Sequence, residues 1–239
     1  MWRPALLALI GSALLLGSWL YPPTHLVWSQ LDIHLFELLN GSLDGHPVWH
    51  ALCASTLSVE SDLVLASILL LLVTPHLRGG RLLHLLWVAG VGLGGLALVR
   101  FGLDLTRLSP SLSTEPFIAS TGAASWLHIR EGATHSFPSD HAFALLYASL
   151  FFFTFGRAWQ GLTTLGCLLI YGGGRLVTGA HWLSDMVVGS VSLVLVLFAL
   201  AVAGPLHRRL YIGRFVSDSQ PDSVTSRVSS SRTPPTPGR

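Results

Sequence analysis

The residues in this chain best suited to chemistry fall in three short polar stretches. In the last of them His181 follows Arg175 by six positions and precedes Asp185 by four. At the start of a helix, residues four apart share a face. Asp185 can then hold one imidazole nitrogen of His181, fix its tautomer and leave the other nitrogen free to attack an electrophile. Arg175 adds a planar fork of donors matched to phosphate oxygens. The middle stretch is Ser136-Phe137-Pro138-Ser139-Asp140-His141. A Pro-Ser pair before a long apolar run reads as a helix start with Ser139 as its N-cap. The first N–H groups of such a helix attract an anion, and His141 in that first turn can donate a proton to a departing oxygen. The first stretch carries Arg100 and Arg107, seven apart and therefore two helical turns from each other. The pair suits either a phosphate or an anionic lipid headgroup, and Arg107 is the better placed of the two, beside a loop.

Lipid is the medium in which these stretches must be held. The 239 residues are 51% hydrophobic and 11% charged, with a mean hydropathy of +0.59, where a soluble domain carries roughly 25% charged residues. Every basic residue is Arg, and the net charge of +2 is too small to suggest a nucleic-acid partner. Cys53 and Cys167 lack metal-ligand spacing and imply neither a zinc site nor a disulfide framework. His25, His34, His46 and His50 are numerous, but their spacing fits no tight ligand set, so no metal is expected.

Six stretches approach the length of about 20 apolar residues that a spanning helix needs: 5–21, 57–73, 82–103, 141–155, 161–177 and 182–203. The expected fold is all-α, a polytopic six-helix membrane bundle over 1–212 followed by a disordered cytoplasmic tail over 213–239 rich in Ser, Thr, Pro and Arg. The first stretch reads as a retained helix, because Trp19, Tyr21 and two prolines stand where a signal-cleavage site would need small residues. Between the first two spans, residues 27–39 repeat apolar positions at a helical period. That segment reads as an interfacial or packed surface helix with Asp32 and Glu37 toward water. Arg3, Arg78, Arg81, Arg157, Arg208, Arg209 and Arg214 flank one face, which the positive-inside rule makes cytoplasmic. Both termini are then cytoplasmic and all three polar stretches reach the opposite face. A His and an Asp at that depth can simply snorkel to water, and Ser139 can simply cap its helix. Ionisable groups at membrane depth are costly, however, and tend to mark function. His128, Arg130 and His135 lie in the long outer loop, as solvated residues or as contacts to a second phosphate.

Together the three stretches resemble the type 2 phosphatidic acid phosphatase superfamily, whose signature is K-x6-R-P, then P-S-G-H, then S-R-x5-H-x3-D. The third motif runs here from Arg175 through His181 to Asp185, with Gly174 in place of the Ser. The second is Pro138-Ser139-Asp140-His141, with Asp for Gly, as in branches that act on undecaprenyl pyrophosphate. In the first, Arg100 replaces Lys and Leu108 replaces Pro. Ser18-Trp19, Arg107-x-Ser-Pro110 and the run from Gly179 to Ser190 look like the branch that moves phosphate from undecaprenyl pyrophosphate to lipid A. The resemblance implies a bacterial inner-membrane enzyme with a periplasmic site and no cofactor. His181 would be the nucleophile, Asp185 its orienting partner and His141 the proton donor. Arg107, Arg175, Ser139 and Arg100 would hold the phosphate. The lipid pyrophosphate is the implied substrate, with water or lipid A as acceptor. The residues also leave open a broader phosphatase for phosphatidic acid or phosphatidylglycerol phosphate, and a non-catalytic lipid-phosphate-binding relative.

Overall fold

The computed structural model describes residues 2–77, 82–102, 136–204 and 207. Prolines set the first boundaries. Helix α1 (Trp2–Leu20) ends before Pro22 and Pro23, which open α2 (Pro22–Gly41), where a missing N–H costs nothing. The two helices meet at 85°. Pro47 opens the short α3 (Pro47–Ser55) in the same way. Ser58 accepts the Ser61 N–H at 3.1 Å and so caps α4 (Val59–Val73), which one tighter turn extends to Leu77. Helix α5 (Leu82–Ala97) runs into a π-helical turn over Leu98–Gly102. Helices α6 (Asp140–Phe155) and α7 (Ala158–Val177) form a tight hairpin. A π-helical segment, Asp185–Ser190, leads into α8 (Val191–Ala203). The described residues contain no strand.

Six of these helices alternate in direction between two ends of a bundle. At one end Trp19 stacks on Phe137, 5.1 Å between ring centres. At the other, His84 lies against Phe155 and His207. Between them Leu72, Val88, Phe143, Tyr147, Phe152, Val194 and Phe198 form the main core. Small residues let helices close in: a Cβ on Gly95 would lie 2.4 Å from Leu197, and one on Gly92 would lie 2.7 Å from Tyr147. Several polar groups inside the bundle are paired, as where Ser149 meets the Thr164 hydroxyl at 2.6 Å or Gln160 donates to the Leu72 carbonyl at 2.8 Å. The outer surface is apolar, with Leu7, Leu14, Leu71, Leu93, Leu169 and Ile170 exposed, as a lipid-facing surface requires.

The all-helical expectation is met. By length and composition two helices can cross a membrane, Val59–Leu77 and Asp185–Ala203, or three if the bent pair α1–α2 is one span; α5 and α6 are shorter apolar helices. The helix expected over 27–39 is present and longer, as α2. Helix α3 lies where no element was expected. The tail from residue 213, the outer loop with His128, Arg130 and His135, and Arg107 fall outside the described residues. Of Arg100 the structure describes the backbone alone, in the π-helical turn.

Candidate active site

Helix α7 ends in a way that places His181. Gly179 takes φ +75°, the left-handed conformation that closes a Schellman turn. Its N–H donates to the Leu176 carbonyl at 3.2 Å, and the Ala180 N–H donates to the Arg175 carbonyl at 2.9 Å. The backbone of Arg175 is thereby tied to the residue before His181. His181 therefore sits in the turn after α7, and not on a helical face as its spacing from Asp185 had suggested. The helical conformation resumes only at Leu183.

Asp185 serves that restart. Its Oδ2 accepts the Trp182 N–H at 2.8 Å, a backward cap of the new helical segment. Asp32 of α2 completes the cap from across the fold: it accepts the Ser184 N–H at 2.9 Å and the Ser184 hydroxyl at 2.6 Å. Burial raises the Asp32 carboxyl above its ordinary pKa, and the Ser184 donors pull the other way. This α2 side chain was expected toward water and is buried instead, because the orphan N–H of the new segment needs an acceptor. With Asp185 so fixed, His181 Nδ1 lies 3.6 Å from its Oδ2. That is beyond hydrogen-bond length, and both His181 Nδ1 and Asp185 Oδ1 are buried with no hydrogen-bond partner among the described residues. Were that gap closed, Nε2 would remain the free nitrogen of the ring.

Ser139 caps α6 as expected, accepting the Ala142 N–H at 3.4 Å. Its backbone bonds toward the π-helical segment: its N–H reaches the Asp185 carbonyl at 3.4 Å, and its carbonyl accepts the Ser190 hydroxyl at 2.9 Å. Ser139 is fully buried, so it ties the second motif to the third. His141, the second residue of α6, has Nε2 2.8 Å from Asp62 Oδ1, and Arg175 Nη2 lies 3.4 Å from the same oxygen. Arg175 Nη2 is 3.2 Å from His141 Nε2. Arg175 also connects His141 to His181, because its carbonyl accepts the His181 N–H at 3.3 Å. His141, Arg175, His181, Asp185 and Ser139 are thus brought to one end of the bundle.

Asp62 was not among the residues expected here. In sequence it is one of two acids in the first turn of α4, where a carboxylate is already explained by the helix dipole. The Gly174 that replaces a motif serine also has a local reason: a Cβ there would lie 2.5 Å from both Thr56 Oγ1 and Cγ2. Thr56 is held by its own bond to the Cys53 carbonyl at 2.7 Å. No group of three or more His, Cys, Asp or Glu side chains among the described residues is placed to hold a metal ion.

Residues 105–209 match the model of the PAP2 superfamily. The chain is 26% identical over 212 residues to lipid A 1-diphosphate synthase of Escherichia coli strain K12, covering 86% of this chain and 89% of that one. It is also 25% identical over 170 residues to YbjG of the same strain, provisionally named an undecaprenyl-diphosphatase, covering 67% of this chain and 76% of that one. No solved structure matches significantly. The PAP2 match begins after α5, so Asp62 and Asp32 reach the site from outside it.

Proposed function

We propose that the protein is a membrane phosphatase or phosphotransferase that takes the terminal phosphate of a lipid pyrophosphate onto His181. The observation that carries this reading is the gathering of His141 and Arg175 at the bundle end where Asp185 faces His181 Nδ1 at 3.6 Å. His181 Nε2 attacks the terminal phosphorus, an N–P bond forms and the bond to the bridging oxygen breaks. Imidazolium His141 gives its proton to that leaving oxygen. Arg175, with Arg107 and Arg100 from the first motif, balances charge on the equatorial oxygens as the phosphoryl group passes. Ser139 supports the site by holding its two motifs together. An acceptor oxygen then attacks phosphohistidine, the N–P bond breaks and, where the acceptor is water, its proton returns to His141.

Undecaprenyl pyrophosphate is the donor that the second relative's name favours. The two relatives' names divide over the acceptor: the first favours lipid A, the second water. On this reading α1, α4, α5, α6, α7 and the segment through α8 are six membrane crossings, both termini are cytoplasmic and the site faces the periplasm of a bacterial inner membrane. Purified protein in lipid vesicles should form a phosphoenzyme from undecaprenyl pyrophosphate, and the His181→Ala variant should form none and release no phosphate. Normal turnover by that variant would sink the mechanism. Adding lipid A to the same assay separates transfer from hydrolysis by where the phosphate appears.

A further inference from the structure

We propose that Asp62 is a positioning residue of this active site, the carboxylate of a second aspartate–histidine pair that holds His141 and Arg175 in working order. The inference rests on the reading of His141 as proton donor. One oxygen, Asp62 Oδ1, lies 2.8 Å from His141 Nε2 and 3.4 Å from Arg175 Nη2. A carboxylate only accepts, so His141 Nε2 carries a hydrogen and donates it to Asp62. Arg175 has donors alone and cannot bond a nitrogen that is itself protonated. Two donor groups nonetheless lie 3.2 Å apart. A shared anionic acceptor is what makes that approach favourable, and without it an arginine and an imidazolium would repel.

Three consequences follow from the geometry. The tautomer of His141 is fixed, with Nδ1 left as the nitrogen that serves the leaving oxygen. The proton on Nε2 stays with the Asp62 pair, so Asp62 orients the acid and takes no proton itself. Arg175, whose backbone carbonyl anchors the turn that carries His181, is held from its side-chain end as well. Asp62 therefore links the acid, the phosphate-binding arginine and, through that turn, the nucleophile. It does so from α4, outside the residues that match the PAP2 model. The Asp62 side chain is 19% exposed, which leaves it at the edge of the site and accessible to an incoming phosphate.

An opposite role would use the same contacts: Asp62 as a stand-in anion that substrate must displace. The two differ in kinetics. Reconstituted Asp62→Asn protein, assayed on undecaprenyl pyrophosphate, is expected to lose about 10- to 100-fold in kcat with KM within about twofold, somewhat less than a general acid itself contributes. Asp62→Glu restores the charge one methylene out of place and should recover part of that kcat. Unchanged kcat in the Asn variant, a lowered KM with intact kcat, or equal losses in the two variants would overturn the inference. Should the Asn variant not fold, judged by its thermal melt, the Glu variant decides: reduced kcat at unchanged KM supports positioning, and wild-type kcat overturns it. Failure of the parent reading looks different, because wild-type protein would then release no phosphate and the Asp62 inference falls with it.

Discussion

The residues of this site are arranged as two aspartate–histidine pairs at different stages of closure. Asp62 already lies 2.8 Å from His141, while Asp185 stands 3.6 Å from His181 with its near oxygen committed to the Trp182 N–H. The open pair is the more telling of the two. Buried atoms without partners are costly, and His181 Nδ1 and Asp185 Oδ1 are such atoms among the described residues. On the proposed function, the pair closes as positive charge develops on the imidazole during attack on phosphorus. Asp185→Asn would keep an acceptor for the Trp182 N–H but cannot stabilise that charge, and its amide favours the wrong tautomer. Its kcat on undecaprenyl pyrophosphate should fall by roughly 10²- to 10⁴-fold, as in triads altered at the same point. Its thermal unfolding in detergent should stay near that of the wild type. A large loss of stability with a modest loss of rate would make Asp185 a cap first and a catalytic partner second.

At the scale of elements, turns and helix ends do the positioning. The apolar stretches were legible as helices because hydrophobic runs of that length leave few alternatives, and the start of α6 was marked by Ser139. Helix α3 was not legible: nine residues with a histidine, a serine and a cysteine carry no clear period, and its evidence in sequence is Pro47 at the first turn. Asp62 was placed at the outer end of its helix but not assigned to the site for a related reason, since an acid in a first turn satisfies the helix dipole whether or not it has another task. The His181–Asp185 spacing was read as one helical face, but Gly179 breaks the helix between α7 and the π-helical segment. That break is testable. Gly179→Ala would force an L side chain into the left-handed region at a cost of about 1–2 kcal/mol. Because Ala180 N–H and Gly179 N–H close the turn on Arg175 and Leu176, relaxing it moves His181. The expected result is a lowered melting temperature together with a fall in kcat of at least about tenfold, since displacements near 1 Å can cost 10²-fold. A melt that shifts while kcat holds would show that the turn stabilises the fold without placing the histidine.

For the whole molecule the question is which way the bundle sits in its membrane. The helices alternate in direction, so Asp62, His141 and His181 share one end, and Arg157 and His207 mark the other. Length and composition support two or three crossings among the described helices. Helices α5 and α6 are apolar but shorter than the other candidates. Arg3 in the first turn of α1 and Arg157 at the start of α7 flank the end opposite the site, and on the proposed function the positive-inside rule makes that end cytoplasmic. The two native cysteines are buried, so single added cysteines can report orientation. Asp44, in the turn between α2 and α3, and Ala158, at the start of α7, are both exposed. Leu43, next to Asp44, packs on Val177 at the site end of α7, so the two positions mark opposite ends of one bundle. In intact spheroplasts an impermeant maleimide should label Asp44→Cys and should reach Ala158→Cys only after the membrane is opened. Labelling of both positions from outside would mean that α7 does not cross. The reverse pattern would turn the site toward the cytoplasm, where its phosphate donor would have to be presented on the inner leaflet.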